Sequence, residues 1–199
     1  MNPQESGSSG IESMEKELTV SGKTFRIRSL LGSGKGGVSY LAENDGRLYT
    51  LKQIHHIPCD YYSFGNKIES EARDYERLKN AGIRIPQLYD IDMEQERLVK
   101  EYIDGPTIFE LVKNNVPVEP YLADVRDMAE LAKNAGLNID YFPTNFIVNG
   151  GRLYYIDYEC NEYMEEWSFE SWGIRYWSRT PEFEAYLASR KEKDSDDPV

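Results

Sequence analysis

The run Gly32-Ser33-Gly34-Lys35-Gly36-Gly37 restricts this chain more than any other stretch, because of what flanks it. Phe25, Ile27, Leu30 and Leu31 mark a strand before it, and positions 38–42 mark a strand after it. A Walker-type phosphate loop needs Gly-Lys-Ser/Thr opening a helix, and a dinucleotide-binding loop also opens a helix. Here Lys35 leads into two more glycines and then a strand. Glycine allows close backbone approach and positive φ, so a loop in this setting covers phosphates from above. A flexible hairpin turn is the plainer reading of the same residues.

Three later landmarks follow in an order that gives the first its meaning. Lys52 lies on a largely apolar strand, Leu48 to Ile54, which returns from a turn at Asn44-Asp45-Gly46-Arg47. A lysine there is costly unless paired, and a phosphate plus a carboxylate would satisfy it. The solvent face of an edge strand is the alternative. Positions 66–80 have helical spacing, with Ile68, Ala72, Tyr75 and Leu78 on one face and a stop near Gly82. Glu71 falls inside that apolar arc and Glu69 outside it, so Glu71 is the expected partner of Lys52.

Asp140 and Asn145 come after a long helical pattern and before a strand. The strands at 146–148 and 153–156 pair around Asn149-Gly150-Gly151-Arg152, which brings Asn145 at the entrance beside Asp157 at the exit. A carboxylate at Asp140 can orient an acceptor hydroxyl and take its proton. The amide oxygen of Asn145 and the carboxylate of Asp157 are hard ligands suited to Mg²⁺. An Asx turn at Asp140 and a strand-entry cap at Asn145 are the structural alternatives. Taken together, the four landmarks describe a phosphoryl-transfer site.

Composition narrows the partners. The 199 residues carry a formal net charge of −12, which argues against a nucleic-acid or anionic-membrane surface. No apolar stretch reaches the about 20 residues of a membrane span, and no signal peptide is visible, so a cytoplasmic protein is expected. Cys59 and Cys160 lack metal-ligand spacing and read as free thiols. His55 and His56 read as surface or packing residues.

Residues 1–17 read as a flexible leader, and residues 191–199 as a solvated, disordered tail. Helical patterns are expected at 108–113, at 120–134 with Leu122, Val125, Ala129 and Ala132 as its buried stripe, and around Phe169, Trp172, Gly173 and Tyr176. Thr180-Pro181 reads as an N-cap and first-turn proline. Trp167, Trp172 and Trp177 read as core. The acidic residues Glu159, Glu162, Glu165 and Glu166 read as a solvated helix start, with attraction of a basic substrate beside the site as the alternative.

On these residues the chain resembles the protein kinase-like superfamily. It looks most like minimal bacterial and archaeal members, including RIO-like and lipopolysaccharide-kinase-like proteins. Gly32, Gly34 and Gly37 match the glycine loop, Lys52 and Glu71 the strand lysine and its helix partner, and Asp140 and Asn145 the catalytic-loop pair. Asp157-Tyr158-Glu159 takes the place of the metal-binding Asp-Phe-Gly, and positions 98–105 that of the hinge, whose backbone at Glu101 and Tyr102 would meet adenine. The resemblance covers about residues 25–160. It departs at Asn138, where a histidine is usual, at Glu159, where a glycine is usual, and at Lys100, in the position that gates the adenine pocket.

The resemblance implies an α+β, two-lobed kinase-like fold: residues 18–103 as the N-lobe, residues 104–190 as a truncated, mainly helical C-lobe. It implies an Mg²⁺- and ATP-dependent phosphotransferase acting on a hydroxyl, in the first place on protein serine or threonine. Two alternatives stay open. One is a small-molecule kinase acting on a sugar or antibiotic. The other is an ATP-binding pseudokinase serving as an interaction module, motivated by Asn138 and Glu159.

Overall fold

The computed structural model describes residues 16–34, 36–56 and 66–195. Most of the expected leader, Lys35 of the glycine run, Cys59 and positions 196–199 lie outside these residues.

A six-stranded antiparallel sheet occupies the first half. Its strands are β1 (Glu17–Val20), β2 (Lys23–Gly34), β3 (Gly37–Asn44), β4 (Arg47–Gln53), β5 (Leu88–Asp92) and β6 (Arg97–Glu101). They lie in the order β1-β2-β3-β4-β6-β5. The glycine run is the hairpin end between β2 and β3, with Gly34 opposite Gly37. At Gly37 (φ +152°) an added Cβ would press on the Gln53 carbonyl oxygen, so the residue lets β3 approach β4 at that point. Asp45 and Gly46 both take positive φ (50° and 75°), which is what a two-residue turn between β3 and β4 requires. β1 and β5 carry no sequence expectation. β1 falls at the edge of the segment read as a leader, and the polar residues of β5, Asp90 and Asp92, mask its alternation.

Helix α1 (Lys67–Ala81) crosses the sheet. Asn66 caps it, accepting from the Glu69 amide, and Gly82 closes it in the left-handed conformation. Ile68, Glu71, Asp74, Tyr75 and Leu78 form its buried face. Glu71 therefore points inward and Glu69 outward, as the helical spacing requires.

The second half holds α2 (Ile108–Lys113), α3 (Leu122–Asn134), the short strands β7 (Leu137–Ile139), β8 (Phe146–Asn149), β9 (Arg152–Tyr155) and β10 (Cys160–Glu162), and α4 (Pro181–Ser195). β8 and β9 form the expected hairpin, and β10 pairs with β7. Pro120 sits in a 3-10 turn ahead of α3 rather than in its first turn. The stretch from Gly173 to Tyr176 is likewise a short 3-10 turn, and at Gly173 a Cβ would collide with Tyr141 and Phe169. α4 starts as expected, with the Phe183 amide donating to Thr180 Oγ1, but it runs on to Ser195, into the segment read as a tail.

A large apolar cluster joins α2, α3, the β8–β9 hairpin and α4 through Ile108, Val125, Phe146, Leu153, Trp177 and Phe183. Each such side chain contributes about 1.5–3 kcal/mol by burial. Of the three tryptophans, Trp177 is core, whereas Trp167 is half exposed and stacks edge-on against Trp172. A second cluster, Ile54, Ile68, Tyr75, Leu98 and Tyr158, joins the sheet, α1 and the chain just after β9. The fold is thus mixed α/β, with a curled antiparallel sheet and few helices, consistent with a small kinase-like fold. Among the described residues no helix is long and apolar enough to cross a membrane.

Candidate active site

The site is built from three segments far apart in sequence. Lys52 comes from β4, opposite Leu98 of β6, and points toward α1. Its Nζ donates to Glu71 Oε1 at 2.5 Å and lies 3.6 Å from Asp157 Oδ1. Burial works against a charge on Lys52, but Asp157 and Glu71 outweigh it and hold the ammonium above the ordinary lysine range. Glu71 is 2% exposed, and its second oxygen, Oε2, has no hydrogen-bond partner among the described residues.

Asp157 follows β9. Its Oδ1 accepts from the Tyr158 amide at 2.9 Å. Burial opposes its charge, yet Lys52 and Lys100 prevail and keep the carboxyl below the usual aspartate value. Tyr158 pins this segment: its ring packs against Tyr75 with centroids 4.9 Å apart, and its hydroxyl donates to the Pro86 carbonyl at 2.6 Å.

Asp140 follows β7 on an exposed loop and its Oδ1 accepts from the Phe142 amide at 3.0 Å. Desolvation raises its carboxyl above the usual value, and repulsion from Asp157 adds to this, against the Phe142 hydrogen bond. The two carboxyls are thus shifted in opposite directions: Asp140 upward, which makes its carboxylate the stronger base, and Asp157 downward, which keeps it anionic. Such a split suits one carboxylate to proton transfer and the other to holding positive charge. Asn145 sits between them. Its Nδ2 donates to the Asp140 carbonyl at 3.3 Å, and its own carbonyl accepts from the Ile156 amide at 2.9 Å. The hairpin thus brings Asn145 to the residue preceding Asp157.

Tyr155 is a site residue that sequence reading missed. Fully buried, it accepts from the Asp140 amide at 3.3 Å and donates to the Glu159 carbonyl at 2.8 Å, tying the Asp140 loop to the Asp157 segment. As one tyrosine among many in a strand it left no signal. Asn138 lies in β7, buried, with Oδ1 accepting from the Met164 amide at 2.5 Å, so it braces the loop rather than facing the cleft. Glu159 is not part of a helix start. It is half-buried, and its Oε2 lies 3.8 Å from Lys67 Nζ.

The remaining predicted residues lie around this centre. Gly32 and Gly34 border open space, and His55 Nε2 meets the Gly34 carbonyl at 3.0 Å. His56 pairs with Glu96 at 2.7 Å. In the hinge-like segment the Glu101 amide already donates to the Gln87 carbonyl at 2.8 Å, and the Glu101 carboxylate accepts from the Gln87 amide at 3.1 Å. A cavity of about 690 Å³ lies elsewhere, between the ends of α1 and α3 and β10, and none of the predicted site residues lines it.

Lys100 acquires a partner. Its Nζ donates to the Ile156 carbonyl at 2.5 Å and sits 4.6 Å above the Tyr158 ring. Burial, reinforced by Lys52, lowers its pKa to about 8. The unfolded chain, with lysine near ~10.4, then binds more protons than the fold between those two values, so stability should rise with pH across that window. Lys100→Met removes this dependence. Its stability relative to wild type is expected to fall by about 2 kcal/mol between about pH 7 and about pH 10. Urea melts at both pH values check this; a difference independent of pH would contradict it.

No protein-family profile matches the chain. Similar curated proteins include the KEOPS complex subunit Bud32 of Pyrococcus abyssi, 31% identical over 129 residues, which are 62% of this chain and 57% of that protein. A probable bifunctional tRNA threonylcarbamoyladenosine biosynthesis protein of Methanobrevibacter smithii is 29% identical over 131 residues, 64% of this chain and 23% of that protein. One with the same description from Methanocaldococcus jannaschii is 28% identical over 88 residues, 44% of this chain and 16% of that protein. The chain thus spans less than two thirds of each of these relatives. The similarities support the kinase-like superfamily; they lend no support to a bacterial or lipopolysaccharide-kinase-like affiliation.

Proposed function

We propose that the chain binds ATP with Mg²⁺ between two lobes, the sheet with α1 (residues 18–103) and the mainly helical remainder (residues 104–190), and transfers the γ-phosphoryl group to a hydroxyl, in the first place of a protein serine or threonine. The observation that carries this reading is the Lys52 ammonium, set 2.5 Å from Glu71 and 3.6 Å from Asp157. Glu71 aims Lys52, and Lys52 meets the α- and β-phosphates. The hairpin end with Gly32, Gly34 and Gly37 covers them. Adenine lies against the backbone at Glu101 and Tyr102.

Asp157 and Asn145 fit Mg²⁺, which takes one or two protein oxygens and leaves its other positions to phosphate and water. Asn145 uses its Nδ2 on the Asp140 carbonyl, so its amide oxygen is the end that would serve as ligand. When bound, the ion neutralises charge on the β- and γ-phosphates. Asp140, its carboxyl raised, orients the acceptor hydroxyl and takes its proton as the new P–O bond forms and the bond to the β-phosphate oxygen breaks, releasing ADP.

The relatives add a second reading of the setting. One is named as a subunit of a complex, and two by tRNA threonylcarbamoyladenosine biosynthesis. On that basis the chain works beside protein partners, and water can replace the hydroxyl as acceptor. Incubation with γ-labelled ATP and Mg²⁺, with and without a basic protein substrate, separates these outcomes. Label on protein is expected; label only in free phosphate points to the ATPase reading, and ATP binding without turnover to an interaction module.

A further inference from the structure

Lys67, the first residue of α1, belongs to none of the roles above, yet its side chain runs into the site. It is mostly buried, with 16% of the side chain exposed. Its Nζ lies 3.8 Å from Glu71 Oε1 and 3.8 Å from Glu159 Oε2, so it faces two carboxylates and is hydrogen-bonded to neither. An ammonium carries three donors, and these distances leave them poorly used. Glu71 Oε2, without a hydrogen-bond partner among the described residues, marks the same spot as one where polar groups are incompletely matched.

The other wall is the glycine run. A Cβ at Gly36 would come within 2.7 Å of Lys67 Cε and 3.3 Å of Lys67 Nζ. The end of the Lys67 side chain therefore lies directly against the hairpin end at Gly36. Lys52 is already committed to Glu71 and Asp157, and Lys100 to the Ile156 carbonyl. Three carboxylates, Glu71, Asp157 and Glu159, surround Lys52 and Lys67. A triphosphate adds further negative charge, and Lys67 is the lysine whose contacts are loose enough to release it.

We propose that Lys67 binds the terminal phosphate of the nucleotide beneath Gly36, and that Glu159 holds it when that phosphate is absent. This rests on the ATP reading given above and adds to it a residue that tells ATP from ADP. It also explains why a carboxylate replaces glycine at position 159: Glu159 parks the ammonium between turnovers.

The test is calorimetric titration of the whole chain with Mg-ATP and with Mg-ADP, for wild type, K67M, K67R and E159Q, each with a thermal melt. K67M should weaken ATP binding by about tenfold or more, the effect of losing one charge-assisted hydrogen bond, and change ADP binding less than about twofold. K67R should keep most of the preference for ATP. E159Q should bind ATP at least as tightly as wild type, because a competing acceptor is gone. Equal losses for ATP and ADP in K67M, or no loss for either, would overturn the role of Lys67 while leaving the nucleotide site in place. Failure of wild type to bind Mg-ATP at all would bring down both.

Discussion

Replacing Asp157 by asparagine is expected to lower phosphoryl transfer by about a thousandfold or more, with the fold retained. Asparagine matches aspartate in shape, keeps an oxygen that can accept from the Tyr158 amide, and removes only the charge. That charge is what Mg²⁺ needs, and its carboxyl is held ionised by Lys52 and Lys100. Lys52 still has Glu71 at 2.5 Å in the variant, so it is not left buried without a counter-charge. The loss of stability should stay at about 1–2 kcal/mol. A radiolabel assay beside a urea melt measures both. Turnover near wild type would show that Asp157 does not hold the metal; collapse of the fold would show that it acts mainly as a buried structural charge.

The largest effect on stability should come from Glu71→Leu, about 3 kcal/mol or more. Glu71 is 2% exposed, and Lys52 beside it is buried as well. Removing the carboxylate strands the ammonium with Asp157 alone, at 3.6 Å. Breaking a buried pair costs far more than replacing both members, since an apolar pair of similar volume packs without desolvated charge. The double variant Lys52→Met/Glu71→Leu should therefore recover most of the loss and yet remain inactive. Denaturant melts of the two single variants and the double variant close the cycle. If the double variant were as unstable as the sum of the singles, the pair would not be coupled and the helix would be held by something else.

Much of this arrangement could be read from residue order, and the reasons are local. The position of Glu71 followed from the 3.6-residue period of α1, because Ile68, Tyr75 and Leu78 define an inward face that includes it. The nearness of Asn145 to the residue before Asp157 followed from a tight hairpin, which leaves its two ends no freedom. What escaped was set by long-range packing. β7 and β10 pair although they are three residues each, too short to show a period, and their register puts Asn138 into the interior. Tyr155 gains its role from Asp140 and Glu159, which approach it only after the hairpin folds. The partner of Lys100 is a backbone carbonyl, and a carbonyl carries no residue-type signal. The stretch around Gly173 carries helical spacing but forms only a 3-10 turn at 173–176, where the backbone lies too close to Tyr141 for any side chain at position 173.

Everything proposed for ATP depends on Lys52 and Asp157 facing the same triphosphate. A crystal structure of the chain with Mg²⁺ and a non-hydrolysable ATP analogue measures this in one experiment. The expected result is phosphate oxygens on Lys52 Nζ beneath the β2–β3 hairpin, with the metal bound by Asp157 and Asn145. A nucleotide bound anywhere else, or Asp157 turned away from both metal and phosphate, would contradict it.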